Sequence, residues 1–140
     1  YIFMIEKKTG GILIENQVQG SSISTAVAGI GLNVNQRHFS VPGATSLALC
    51  SGIDHDLGAV FRRLLECIES QYLDLKSGNV SLLKQRYLAA LFKFREQQDF
   101  EALGENFTGT IHDVDEDGKL CVETAGAVRK FAFKEVTFLN

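Results

Sequence analysis

The 140-residue sequence predicts an α+β fold: a mixed, mainly antiparallel sheet packed on helices, followed by a small β-barrel. Three observations carry this. Two apolar, glycine-bearing segments near the start read as buried strands: Lys7-Lys8-Thr9-Gly10-Gly11-Ile12-Leu13-Ile14-Glu15 and Ala28-Gly29-Ile30-Gly31-Leu32-Asn33-Val34-Asn35. From Leu57 onward, apolar residues recur at spacings of three and four, the period of a helix. Past Asp99 the texture changes to short alternating segments divided by turn residues.

Taken in order, Tyr1 to Ile5 is an apolar strand and Glu6 to Thr9 a polar turn. Gly11 to Gln17 is a strand with β-branched residues, and Gln19-Gly20-Ser21-Ser22 a turn. Ile23 to Leu32 completes an antiparallel meander, and Asn33 to Ser40 leaves the sheet. A loop around the only proline, Val41-Pro42-Gly43-Ala44, leads into a short helix ending near Ser51, with Thr45 or Ser46 at its start. Asp54 and Asp56 both offer an N-cap to the long helix, whose stripe is Leu57, Val60, Phe61, Leu64, Leu65, Ile68, Tyr72 and Leu75. That helix stops at Gly78, and Asn79 caps the next, where Leu82, Leu83, Tyr87, Leu88, Leu91 and Phe92 share a face. Arg95 to Asp99 is a charged connector. Phe107 to Val114, Leu120 to Thr124, Val128 to Phe133 and Val136 to Leu139 are the barrel strands. Asp115-Glu116-Asp117-Gly118 makes an acidic hairpin turn.

Composition excludes several classes. With 45% hydrophobic residues the chain can bury a core, so disorder is not expected. The net charge is −3 and the basic residues are scattered, so no nucleic-acid partner is indicated. The longest apolar runs fall short of the roughly 20 residues of a membrane span, and no secretory signal pattern is visible. Three widely spaced cysteines argue against a disulfide framework or a zinc site. Cys67, on the apolar side of a helix, and Cys121, in a strand, fit buried thiols in a reducing cytoplasm. His38, His55 and His112 are dispersed and suggest neither a metal site nor a nucleophile–base pair.

The two glycine segments outline a site. Glycine inside a strand marks close approach of a ligand or of another backbone, and two such strands a hairpin apart form a wall for a flat small molecule. Lys7 and Lys8 offer point charges to a phosphate or carboxylate, or belong to a solvated turn. Gly10 and Gly11 admit a ligand or mark a bulge. Asn33 and Asn35 supply amides to a ligand or bond local backbone. Glu15 points to the other face or to a domain boundary. The run Asp113 to Asp117 lacks the remaining ligands of a calcium loop and reads as a hairpin. Phe131, Phe133 and Phe138 alternate as barrel core or barrel face.

At these residues the chain resembles biotin–protein ligase. The stretch Lys7 to Glu15 is similar to that family's lysine, small residue, Gly-Ile-Leu-Val/Ile-Glu strand, and Gly29-Ile30-Gly31-Leu32-Asn33-Val34-Asn35 to its Gly-x-Gly-x-Asn strand. Ala44-Thr45-Ser46-Leu47 resembles the helix start that follows, and the two helices and closing barrel match in order and size. The resemblance implies two steps: biotin and ATP form biotinoyl-AMP with Mg2+ assisting, and a lysine of the biotin carboxyl-carrier domain of a carboxylase then attacks the mixed anhydride. It implies that Lys8 is catalytic, neutralising the biotin carboxylate and the α-phosphate. Gly10, Gly11, Ile12 and Leu13 then line the biotin wall, Gly29 and Gly31 let the ligand lie close, and Asn33 bonds the nucleotide side.

The family's glycine/arginine-rich loop and Lys-Trp-Pro-Asn-Asp motif have no counterpart here, and there is no tryptophan. The expectation is a chain beginning inside a larger protein. Residues 1–97 would be the C-terminal portion of the catalytic domain, a sheet remnant. Residues 98–140 would be a Src-homology-3-like barrel. Such a chain alone is expected to show little or no ligase activity, and an exposed edge near Tyr1 to Ile5 is expected to self-associate or to pair with an upstream segment. Two other readings remain: a carrier- or partner-binding module built on the barrel, and a lipoate-ligase relative.

Overall fold

The computed structural model describes residues 1–20 and 22–139; Ser21, assigned above to a turn, lies outside the described residues. The elements are β1 (Ile2–Met4), β2 (Lys7–Gln19), β3 (Ser22–Leu32), α1 (Leu47–Ser51), α2 (Leu57–Lys76), α3 (Val80–Ala90), β4 (Gln97–Ala102), β5 (Glu105–Val114), β6 (Leu120–Glu123), β7 (Val128–Phe131) and β8 (Thr137–Phe138). The α+β class therefore holds. The chain forms two compact units, Tyr1–Glu69 and Ser70–Asn140. Among the described residues no helix is long and apolar enough to cross a membrane.

The first unit carries the meander β1-β2-β3, paired antiparallel throughout. Its first turn differs from the sequence reading. Ile5 and Glu6 form it with φ of 49° and 61°, so Lys7, Lys8 and Thr9 are strand rather than turn. These are not turn residues, and Ile5 is β-branched, which is why the pattern gave no signal there. The strands are also not buried: Leu13 is 62% and Ile14 61% exposed. Apolar content marks a surface that gains from being covered, whether or not the same chain covers it. Among the described residues of this unit, burial is confined to Thr9, Gly10, Thr45, Ser46 and Ala48, where the start of β2 meets the loop entering α1.

Both helix starts in this unit follow the polar residues. Ser46 caps α1, its Oγ accepting from Leu49 N at 3.2 Å. Asp56 caps α2, with Ala59 N donating to Oδ1 at 2.6 Å, while Asp54 pairs with Arg37 at 2.6 Å. No α2 residue is buried, and Cys67 is exposed, contrary to expectation; only Cys121 is buried, and Cys50 is half-buried. The helical period locates an apolar stripe but not its cover.

In the second unit, Asn79 stands at the N-cap of α3 without a side-chain cap bond; its Nδ2 donates to Asp74 at 3.3 Å instead. The five strands run in the order β7-β6-β5-β4-β8. Phe100, Ala102, Ile111, Val122 and Phe131 form the core, with Leu91, Phe94, Phe107, Leu120, Val136 and Phe138 packed around it. Two corrections apply. The connector Arg95 to Asp99 is partly β4, and Phe133 lies past the end of β7 in a turn, 84% exposed, so only Phe131 and Phe138 join the core. The acidic turn is as read: Asp115 Oδ1 accepts from the N–H groups of Asp117 and Lys119 at 3.1 and 2.9 Å.

Candidate functional site

The register of β2 and β3 decides which residues face together. Gly11 pairs with Gly31 and Leu13 with Gly29, while Gly10 pairs with Leu32 and Ile12 with Ile30. Side chains alternate along a strand, so Gly11, Leu13, Gly29 and Gly31 share one face and Gly10, Ile12, Ile30 and Leu32 the other. The first face is a nearly bare strip of backbone bounded by one leucine. A Cβ on Gly31 would meet nothing within 4 Å, and one on Gly29 only the Leu13 carbonyl oxygen at 3.9 Å. Gly10 is different: a Cβ there would overlap the Gly31 carbonyl oxygen, so this glycine lets β2 and β3 approach.

The register of β1 on β2 slips between Ile2 and Phe3, so that Ile2 faces Gly10 and Phe3 faces Lys8, with Thr9 as the extra residue. Such a bulge re-aims the neighbouring side chain. Tyr1 shows the result: its ring lies 3.8 Å from where a Gly11 Cβ would stand, and the Lys8 ammonium sits 3.7 Å above its centroid. The bulge therefore brings Lys8 to the face of Gly11.

An open concavity of about 540 Å³ lies here. One side is Lys8, Gly10, Gly11, Gly31, Leu32 and Asn33; the other is the loop residues Gln36, Phe39, Ser40, Val41 and Ala44. Hydrogen bonds pin that loop at both ends. Lys8 N donates to Gly43 O at 2.8 Å, and Thr45 N to Lys8 O at 2.9 Å. Ser46 Oγ donates to Gln36 O at 2.6 Å. Asn33 Nδ2 donates to Thr45 O at 3.0 Å. Asn35 is spent on backbone, donating to His55 O at 2.8 Å and accepting from His55 N at 2.9 Å.

Of the residues singled out from sequence, Lys8, Gly10, Gly11, Gly31 and Asn33 line the concavity; Ile12, Leu13 and Gly29 lie further along the same strands and do not. The loop side, with Phe39 and Val41, was not anticipated. The signal was the lone Pro42-Gly43 between strand and helix, since loops at strand ends carry binding groups. The arrangement offers a cation, bare backbone and an apolar loop to a flat ligand with an acidic group. Among the described residues there is no cluster of three His, Cys, Asp or Glu side chains that would hold a metal.

The family described as Biotin protein ligase C terminal domain matches residues 100–138. The ligase/repressor BirA of Bacillus spizizenii is 30% identical over 129 residues, which is 89% of this chain and 40% of that protein. Together these two matches span the sheet, the helices and the C-terminal strands. The chain matches the C-terminal region of biotin protein ligases. A biotin–[acetyl-CoA-carboxylase] ligase of Mycobacterium tuberculosis is 30% identical over 102 residues, covering 71% of this chain and 38% of that ligase. The apo biotin protein ligase of Aquifex aeolicus shares the fold, with a TM-score of 0.74 at 24% identity over 98% of this chain and 61% of that one. The chain thus spans about 40% of the length of the curated ligases it matches.

Proposed function

We propose that this chain takes part in an ATP-dependent biotin–protein ligase, in which biotin is activated to biotinoyl-AMP and passed to a lysine of a carboxylase's biotin carboxyl-carrier domain. The observation that carries the reading is the junction of β2 and β3: a lysine beside a bulge, its ammonium over the Tyr1 ring that lies against Gly11, next to a strip of glycine backbone and an open concavity. In this role Lys8 neutralises the carboxylate and phosphate of the mixed anhydride, where a fixed cation stabilises charge as it develops. Gly11 and Gly31, with Leu13 and Gly29 further along the same face, form the biotin wall, to which Gly10 and Ile12, on the opposite face, add only backbone, and Asn33 serves the nucleotide side. No covalent enzyme intermediate is needed; catalysis is positioning. Mg2+ would accompany ATP in this reading, held by groups other than a described carboxylate cluster.

Within the same reading, residues 1–97 belong to the catalytic portion and residues 98–140 form a Src-homology-3-like barrel. The match of residues 100–138 to a C-terminal domain family supports that boundary. The three free cysteines support work in the cytoplasm. Calorimetric titration of the chain with biotinoyl-AMP tests the proposal. Binding that weakens by roughly tenfold or more in Lys8→Ala is expected for a lost charge-assisted contact. Equal affinity of the two proteins would remove Lys8 from the site.

A further inference from the structure

We infer that Asn33 is a positioning residue for Lys8, acting through the backbone of Thr45. The inference rests on the reading of Lys8 as the cation of the site. The Lys8 side chain is exposed, and its long stem has many rotamers. What the fold can fix is the backbone from which that stem departs. On β2 the Lys8 peptide groups are held by the loop before α1, through Gly43 O and Thr45 N. Asn33 in turn fixes both flanks of Lys8. Its N–H donates to Thr9 O at 2.8 Å, its Nδ2 to Thr45 O at 3.0 Å, and its carbonyl accepts from Leu47 N at 3.0 Å. One residue therefore ties the end of β3 to the start of β2, to the loop and to α1.

The chemistry selects an amide at this position. The Thr45 carbonyl is an acceptor on a residue only 4% exposed, so it needs a donor that aspartate cannot supply. Without that donor, Thr45 has one fewer tie, and the Thr45–Lys8 bond it supports loosens. Gly43, at φ 77°, provides the left-handed step that aims its own carbonyl at Lys8 N.

Amide hydrogen exchange and biotinoyl-AMP titration on the 140-residue chain test this together. In the wild type the Lys8 and Thr45 amides should open together. In Asn33→Ala both should exchange roughly tenfold faster or more, the scale expected when a buried carbonyl loses its donor, with Val122 of the second unit unchanged. Asn33→Asp should behave likewise, since it keeps the size and removes the donor. In the titration, the Asn33→Ala/Lys8→Ala pair should lose less affinity than the sum of the two single losses, because the part of the Asn33 loss that runs through Lys8 vanishes once Lys8 is gone while any contact of Asn33 with the nucleotide side is lost in both backgrounds. Unchanged protection at Lys8 and Thr45, or fully additive binding losses, would overturn the inference. If Asn33→Ala does not fold, the wild type and Asn33→Asp decide: independent opening of the two amides overturns it. Failure of the wild type to bind biotinoyl-AMP would instead overturn the ligase reading, a result the exchange data do not share.

Discussion

Two glycines, Gly10 three residues into β2 and Gly31 next to the last residue of β3, do opposite work. Gly10 is needed by the protein itself, because any side chain there meets the backbone of Gly31. Gly31 faces open space without a positive φ, so the fold tolerates alanine there. Gly10→Ala should lose about 1–3 kcal/mol in urea denaturation, as overpacking does. Gly31→Ala should stay within about 1 kcal/mol of the wild type, yet bind biotinoyl-AMP roughly tenfold or more weakly, since a methyl in a fitted contact is worth that much. Equal stability losses in both variants would mean that the glycines serve only the sheet. The glycine pattern marked both positions but did not tell the one the fold requires, Gly10, from the one it leaves open, Gly31. The difference was not legible because the atom that excludes bulk at Gly10 is a carbonyl on another strand, whose register only the fold sets.

Among elements, the turns explain most of what the sequence concealed. Leu103 and Gly104 join β4 to β5 with φ of 54° and 78°, a shape that favours Asn-Gly, and Leu103 is 94% exposed. Leu103→Asn should therefore raise the melting temperature, with a gain on the order of 1 kcal/mol from relieved strain; a loss would show that Leu103 has a partner. Strand β4 escaped notice because only Phe100 and Ala102 of Gln97–Ala102 are apolar, the alternation being carried by two residues among four polar ones. The acidic hairpin was legible because aspartate bonds its own turn backbone. The Lys119 N–H, and then the Lys130 ammonium, hold the Asp115 carboxyl below the usual carboxylate range. A depressed carboxylate contributes stability above its ordinary pKa of about 3.9 and loses it as pH falls through that range to the lowered value. Asp115→Asn should be less stable than wild type at neutral pH and should lose less on acidification from about pH 5 to pH 2. Parallel pH profiles of the two proteins would contradict this.

For the whole molecule, the second unit has an aromatic core, while the buried residues described in the first are Thr9, Gly10, Thr45, Ser46 and Ala48. Exposed Ile12, Ile14, Val18 and Ile23 share one face of the meander and give it an uncovered apolar surface between two strand edges. Such surfaces and edges associate. Sedimentation of the 140-residue chain should show concentration-dependent self-association, and Ile14→Lys, which places a charge on that surface, should reduce it; a monomer at all concentrations would count against the account. The class of fold and the two strands of the site were legible from glycine placement and periodicity. The bulge at Thr9 that re-aims Lys8 was not, because it arises from how β1 pairs with β2. The most direct test of the central claim is amide chemical-shift mapping of the chain with biotinoyl-AMP. The account predicts shifts concentrated at Lys8, Gly11, Gly31 and Asn33, and none in residues 97–138. Shifts confined to residues 97–138 would contradict it and favour a binding module built on the C-terminal strands.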